Sequence, residues 1–122
     1  MALSALAPLG KVLTDLGRVD VKRLSVELDL SVPALAPALG RSSRWVNEHP
    51  TAASLQPAAL ELVDAINTLA ESLGGMKFAR AWLKTPNPQF AFRTPADVLR
   101  HETDGRSAVV GLIRGIVTHQ PD

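Results

Sequence analysis

The side chains that could carry out catalysis or bind a metal are few and far apart in this sequence. The chain has no cysteine, and its three histidines are His49, His101 and His119. His101-Glu102 lacks a second histidine four residues later, which a helical zinc site would need. We find neither a Gly-x-Ser-x-Gly sequence nor a glycine-rich phosphate loop. The sequence therefore predicts no catalytic residue, no metal and no cofactor.

A second group of polar side chains, within residues 31–50, has types that suit DNA. Arginine and asparagine match the hydrogen-bonding edges of guanine and adenine, and serine suits a phosphate. The net charge of the chain is only +1, so any DNA binding must come from a local patch. The residues concerned are Arg41, Ser43, Arg44 and Asn47.

The pattern around these residues resembles the helix-turn-helix of Xre (Cro/repressor-like) proteins. Ser31 and Ser42 are placed to cap two helices, and Gly40 is placed to form the turn between them. The resemblance implies that the second helix presents its N-terminal residues to the major groove. Pro37 inside the first helix and Glu48 near the groove surface oppose that interpretation. The open alternative is a degenerate motif that serves as a scaffold or dimer surface.

Hydrophobic periodicity predicts an all-α fold of six or seven short helices. Residues 51–75 predict the longest helix, with apolar residues on one face and polar residues, Asn67 among them, on the other. No stretch alternates as a strand would. Shorter helices are expected near residues 20–30, 76–84, 95–101 and 105–117. Asp20 is placed to cap the first of them.

The long helix is expected to join two parts of the chain. We divide the sequence into an N-terminal helical region, residues 1–54, and a C-terminal helical domain, residues 55–122. Apolar residues recur through residues 1–20 at a weak helical spacing. Whether they cover the core or form a self-association surface stays open from the sequence.

The stretch that organises the sequence is residues 78–99, which contains all three phenylalanines and one of the two tryptophans. Thr85-Pro86-Asn87-Pro88 predicts a turn after one helix. Thr94 and Pro95 then suit the cap and the first position of the next helix. We therefore expect a fixed corner between two helices, with its aromatic side chains packed inward. The side chains expected to face the core from the first helix are Phe78, Ala81 and Trp82.

An ordered string of residues across this corner resembles the C-terminal toxin-binding domain of the Xre/MbcA/ParS antitoxins. The string consists of Ala79-Arg80-Ala81-Trp82-Leu83, Thr85-Pro86-Asn87-Pro88, Arg93-Thr94-Pro95, Leu99 and Gly105. It covers about the last third of the chain. The family usually has a leucine and glycines before the Arg-Thr-Pro triplet, where this chain has Phe90, Ala91 and Phe92.

The resemblance implies an antitoxin of a RES-type toxin–antitoxin module, and a protein that is not an enzyme. Its C-terminal domain is expected to cover the NAD-binding cleft of a RES-domain toxin and so to exclude the substrate. Such a toxin attacks NAD by ADP-ribosyl transfer or NAD degradation. Among the basic side chains expected to contact the toxin, Arg114 is the first candidate. The others are Arg80, Lys84, Arg93 and His119.

Two further functions stay open at this point. One is a helix-turn-helix transcriptional repressor, either without a toxin partner or combined with the antitoxin as autoregulation of its own operon. The other is a homo-oligomeric scaffold, since repressor-like motifs commonly work as dimers. No apolar run approaches the roughly 20 residues that cross a bilayer, and the apolar start lacks a basic region. We therefore expect a cytoplasmic protein, with a dimer of this chain inside the complex with its toxin.

Overall fold

A computed structural model describes residues 8–118 of the chain, and within that range the fold is all-α, as predicted. Within the described residues seven α-helices follow one another, and short 3-10 segments lie at Gly10–Val12, Ala36–Leu39, Ala53–Leu55 and Pro88–Phe90. The helices are α1 (Val21–Leu28), α2 (Val32–Leu35), α3 (Ser43–Glu48), α4 (Gln56–Leu73), α5 (Met76–Leu83), α6 (Pro95–His101) and α7 (Gly105–Thr118).

The predicted helix starts are confirmed by their capping bonds. The Asp20 carboxylate accepts from two backbone amides of α1, and the Ser31 hydroxyl accepts from the amide of Ala34. The Ser42 hydroxyl accepts from the amide of Trp45, and Thr94 caps α6 in the same way. Each cap satisfies a donor that the first turn of a helix leaves unpaired, so these side chains fix the helix boundaries.

Helix α4 is the spine of the molecule and packs against both α5 and α7. Its predicted apolar face is buried, apart from Leu73, which is 37% exposed at the end of the helix. The prediction for Asn67 is wrong, because this side chain is 3% exposed and not on the polar face. Its Oδ1 accepts a 2.7 Å bond from the backbone amide of Leu9, so it is buried to bind another segment of the chain.

That segment is the N-terminal strap, residues 8–20, which closes one side of the core. Leu9, Val12 and Val19 are fully buried. The side-chain amide of Gln56 accepts from the amide of Val19 at 2.7 Å and donates to its carbonyl at 3.1 Å. Of the two interpretations left open for residues 1–20, core coverage therefore holds for most of the described apolar residues. Leu16, at 88% exposed, is the exception.

The region between Ser31 and Glu48 accommodates Pro37 by changing helix type. Helix α2 ends at Leu35 and continues as the 3-10 segment Ala36–Leu39. Pro37 lies at one of the first two positions of that segment, where a helix leaves backbone amides without an intrahelical partner, so the donor that a proline lacks is not needed. Gly40 then adopts φ 76° and reverses the chain. Val46 of α3 is fully buried. The segment is thus a helix, a tight turn and a second short helix, packed on the rest of the protein.

Helices α6 and α7 approach each other closely at Gly105. A Cβ atom built at this glycine would lie 2.1 Å from the carbonyl oxygen of Val98. Backbone atoms are in contact here, so only glycine fits. Helix α6 also packs on α2 and on the 3-10 segment that follows it. The close approach fixes α6 against α7, and the packing of α6 on α2 joins this pair to the N-terminal half.

The predicted orientation of α5 is wrong for two of its three residues. Ala79 and Leu83 are its buried residues, whereas Phe78 is 52% exposed and Ala81 is exposed. Trp82 is half-buried against the core. Phe78 and Trp82 are four residues apart, and so are Ala79 and Leu83, so helical spacing alone does not decide which of these two neighbouring pairs faces the core.

Candidate functional site

The corner loop, residues 84–94 between α5 and α6, is held together by its own backbone. The amide of Asn87 donates to the carbonyl of Arg93 at 3.0 Å, and the carbonyl of Asn87 accepts from the amides of Phe90 and Phe92, both at 2.9 Å. The side chain of Asn87 accepts from the amide of Gln89 at 2.9 Å. One asparagine therefore organises the loop, which is a fixed corner as predicted.

Two consecutive residues of this loop have left-handed backbone conformations that L-amino acids with a side chain rarely adopt. Ala91 has φ 54° and Phe92 has φ 65°. For a residue as bulky as phenylalanine this conformation is strained, and strain of this kind persists only where the surroundings enforce it. Phe90 packs partly against the core, while Phe92 is 70% exposed. The expectation that the aromatic residues of the corner pack inward is therefore wrong for Phe92.

The three predicted basic residues around the corner are engaged within the chain. Lys84 Nζ pairs with Asp29 Oδ2 at 2.5 Å, and the Arg80 guanidinium donates to the carbonyl of Glu27 at 3.2 Å. The hydrogen bond from Lys84 holds the pKa of Asp29 below its ordinary value, with a smaller contribution from the charge of Arg80. Arg80 and Lys84 thus attach the end of α5 to the end of α1.

Arg93 makes the corresponding contact on the other side of the corner. Its guanidinium donates to Glu102 Oε2 at 3.0 Å, and this bond holds the pKa of Glu102 below its ordinary value. Beside the pair lies a cavity of about 550 Å³ between the corner loop and the start of α7. Its charged and titratable lining residues are Arg93, His101, Glu102 and Asp104.

Arg114, the first candidate, lies apart from these pairs on α7. It is exposed, and its side chain forms no ion pair with another residue of the 8–118 range. The apolar residues Leu112, Ile116 and Val117 on the same helix are only half-buried. The structure brings Arg80 and Lys84 together, but it places Arg114 on a different element. His119 lies outside the described residues.

The predicted DNA-binding residues lie on and before α3. The guanidinium of Arg41 stacks on the ring of Trp45, 4.3 Å from the ring centroid. Arg44 pairs with Glu48 at 3.8 Å across one helical turn. Asn47 is exposed and Ser43 is half-buried. Both arginines of the patch thus have neighbours of their own, one aromatic and one acidic.

Sequence reasoning missed the partners of these basic residues and one further arginine. Arg106 Nε donates to Glu61 Oε1 at 2.9 Å, and its guanidinium also donates to the carbonyl of Ala38 at 2.8 Å. It therefore joins α7, α4 and the segment after α2. A pairing over such sequence separations leaves no local pattern, so charge spacing alone could not have indicated it.

Other kinds of site find no support within residues 8–118. That range contains no cluster of three or more histidine, cysteine, aspartate or glutamate side chains able to hold a metal ion. It also contains no helix that is both long and apolar enough to span a membrane. The distinctive surface is the corner loop, a rigid turn with an exposed aromatic side chain.

Comparison with known families assigns the class of this part of the chain. Residues 68–116 match the model described as the antitoxin Xre/MbcA/ParS C-terminal toxin-binding domain. The match covers less than half of the 122 residues, but it spans α5, the corner loop, α6 and most of α7. This region is similar to a toxin-binding antitoxin domain, which supports an antitoxin role for the chain and a toxin as its partner. The predicted resemblance to Xre/MbcA/ParS-like antitoxins is thereby confirmed.

The description of the matched model is that of a domain that binds toxins. No curated protein matches the chain, and no solved structure matches it.

Proposed function

We propose that this antitoxin neutralises a RES-domain toxin by covering the toxin's NAD-binding cleft. The observation that carries the proposal is the toxin-binding match over residues 68–116, which includes the rigid corner loop. The RES class of the toxin rests on the resemblance of the corner string. Inhibition would be steric, because a bound C-terminal domain would keep NAD out of the cleft. The antitoxin itself would perform no chemistry.

Among the basic residues, Arg114 is the one we propose enters or borders the cleft. It is exposed on α7 and forms no ion pair with a described residue, so no existing contact must break before it binds a partner. Each of the other three candidates already has an acceptor in the chain, so it would contact the toxin while keeping that bond. They are Arg80, Lys84 and Arg93. His119 remains a proposed contact outside the described residues.

The proposal is tested by co-expressing the chain with the protein encoded by the neighbouring reading frame. We expect the two to purify together, and NAD consumption by that protein to stop when the chain is present. NAD that disappears equally fast with and without the chain would contradict the proposal. So would a neighbouring protein that neither consumes NAD nor transfers ADP-ribose.

Arg114→Ala is expected to weaken inhibition of NAD consumption about tenfold, the effect of losing one charged contact in a desolvated interface. The matched control is Arg44→Ala, which removes an exposed arginine outside the toxin-binding domain and should leave inhibition unchanged. A titration of toxin activity against each variant gives both inhibition constants. Equal inhibition by the Arg114→Ala and wild-type chains would remove Arg114 from the interface.

We propose autoregulation of the operon as a second activity, through a helix-turn-helix over residues 31–50. The supporting observation is the succession of α2, the turn at Gly40 and α3, in which Asn47 of α3 and Arg41, directly after Gly40, are both exposed. Arg44 and Ser43 would complete the contact to the groove. The pairing of Arg44 with Glu48 lowers the net positive charge of this patch, so we expect weak binding that is lost as salt is raised.

A gel shift with the promoter of the operon at low salt tests the repressor proposal. We expect a shift that Asn47→Ala abolishes and that disappears as salt is raised. If no shift occurs at low salt, with or without the toxin, the motif is a scaffold and the repressor proposal fails. The division at residues 54 and 55 and the cytoplasmic location stay predictions.

The dimer within the complex is also a proposal, for which Leu16, exposed on the N-terminal strap, is the first contact to examine. Light scattering of the chain at high concentration would reveal the dimer, and a monomer there would contradict it.

A further inference from the structure

The described surface has one feature that combines conformational strain with an exposed aromatic ring. Phe92 is 70% exposed and lies in the left-handed region with φ 65°. The backbone of Phe92 could leave this conformation only if the turn opened. Three backbone hydrogen bonds made by Asn87 keep the turn closed. A bulky side chain is thus kept in an unfavourable conformation where it contributes little to the core.

We propose that Phe92 is the anchor of the antitoxin's complex, inserting its ring into an apolar pocket on the surface of the toxin. The inference rests on the proposed toxin-neutralising function and names the side chain through which the toxin is recognised. Large aromatic side chains dominate the binding energy of many protein interfaces when they enter a desolvated pocket. Phe92 is suited to that role because its backbone is already fixed, so little further loop ordering opposes binding.

The occupant of this surface is a toxin protein because of where Phe92 lies in the chain. Residue 92 is near the middle of the 68–116 segment that matches a toxin-binding domain. The neighbouring cations do not offer a free positive patch, since Lys84 is paired with Asp29 and Arg93 with Glu102. The centres of protein interfaces are depleted in charge and enriched in aromatic residues, which fits a contact centred on Phe92.

The surroundings of the ring also suit a protein contact. Ala91 and Arg93, on either side of it, line the cavity of about 550 Å³ beside α6, whereas the Phe92 ring is turned towards solvent. A protein surface seated on the ring would therefore also cover the cavity mouth. The polar groups there, His101 and Asp104, would form the hydrated rim that commonly surrounds an apolar anchor.

The test compares four variants of the full chain for affinity to the protein encoded by the neighbouring reading frame, measured by titration calorimetry. Phe92→Gly and Phe92→Asn remove the ring but keep residues that adopt the left-handed conformation readily. Phe92→Tyr keeps the ring. Val26→Ala removes another exposed apolar side chain, 74% exposed, outside the toxin-binding domain. Circular dichroism melts establish that each variant is folded.

We expect the glycine and asparagine variants to bind about thirtyfold more weakly or worse, the loss typical of an interface hot spot. The tyrosine and Val26→Ala variants should bind within about threefold of the wild-type chain. Glycine and asparagine variants that bind as tightly as the wild-type chain would overturn the role of Phe92 and leave the antitoxin function intact. If the wild-type chain itself does not bind the neighbouring protein, the RES-toxin proposal fails, and the inference about Phe92 fails with it.

Discussion

Two of the helix–helix corners within residues 8–118 reverse the chain in different ways. Between α2 and α3, the left-handed residue is Gly40, for which φ 76° costs little. Between α5 and α6, the left-handed residues are Ala91 and Phe92, for which the conformation is strained. The first corner reverses the chain without strain. The second keeps strain in order to hold particular side chains in place.

The two corners also differ in how far their side chains contact the rest of the protein. At the first corner, the arginine of the turn stacks on Trp45 and the next arginine pairs with Glu48. At the second corner, the charges are again paired, but the ring of Phe92 has little contact with the rest of the protein and is 70% exposed. Strain combined with an exposed aromatic residue is typical of a functional loop, whereas a relaxed turn with internally paired charges is typical of structure. The comparison therefore favours the second corner as the binding surface.

The largest change in stability is expected at Gly105, where α7 closely approaches α6, the helix that follows the second corner. Gly105→Ala would place a Cβ 2.1 Å from the Val98 carbonyl oxygen and push α6 away from α7. We expect the free energy of unfolding to fall by about 3 kcal/mol, the cost of severe overpacking, as measured by urea denaturation. The control is Gly111→Ala in the same helix, where nothing lies within 4 Å of the new Cβ. That variant should gain about 0.5 kcal/mol from helix propensity. A Gly105→Ala variant as stable as the wild-type chain would contradict the proposed contact.

A smaller change in stability is expected when the glycine of the first corner is replaced by alanine, or the phenylalanine of the second corner by glycine. Gly40→Ala should lower the free energy of unfolding by about 1 kcal/mol, because alanine is strained at positive φ. Phe92→Gly should raise it by about 0.5 kcal/mol, since the strain it relieves exceeds the added entropy of the unfolded chain. Both values can be measured by urea denaturation. If Phe92→Gly instead destabilised the protein by more than about 1 kcal/mol, the ring would be a packing residue, and the contrast between the corners would not hold.

The smallest effect concerns the charged pairs at the second corner and depends on pH. The Lys84 hydrogen bond lowers the pKa of Asp29 from its ordinary value of 3.8, and the Arg93 bond lowers that of Glu102 from 4.5. A lowered pKa means that the pairs stabilise the fold above these ordinary values. That contribution is lost as pH falls through the lowered pKa of the folded protein. Because both carboxylates are exposed, the effect on stability should be slight.

Nuclear magnetic resonance titration measures this prediction directly. Lys84→Met should raise the pKa of Asp29 towards 3.8 and leave that of Glu102 unchanged, and Arg93→Met should do the reverse. An Asp29 pKa that does not respond to loss of Lys84 would show that the ion pair does not form in solution.

Local signals in the sequence predicted much of the fold. Asp20, Ser31, Ser42 and Thr94 begin helices as expected, because a capping side chain acts on amides only two or three residues away. Gly40 was likewise recognisable as a turn residue. These features depend on near neighbours, and near neighbours are visible in a sequence.

The errors and omissions concern contacts between distant residues. The sequence pattern places Asn67 on the polar face of α4. Its burial is explained by the hydrogen bond that it accepts from the Leu9 amide of the N-terminal strap. Gly105 is part of the residue string that resembles the antitoxin family, but the sequence does not show why glycine is needed there. The reason is the close approach of the Val98 backbone, which belongs to another helix. The exposure of Phe92 runs against the usual burial of phenylalanine, so composition alone predicts the wrong outcome. Such departures from local rules are expected where a protein carries a functional surface.

Hydrogen exchange of the chain with and without its proposed toxin is the measurement that tests the account most directly. The partner is the protein encoded by the neighbouring reading frame, and the readout is the change in backbone amide protection along residues 8–118. We predict that protection rises in the corner loop, residues 84–94, and along α7, while α3 is unchanged. Protection that rises only over residues 41–48, with the corner loop unaffected, would contradict the assignment of toxin binding to the second corner.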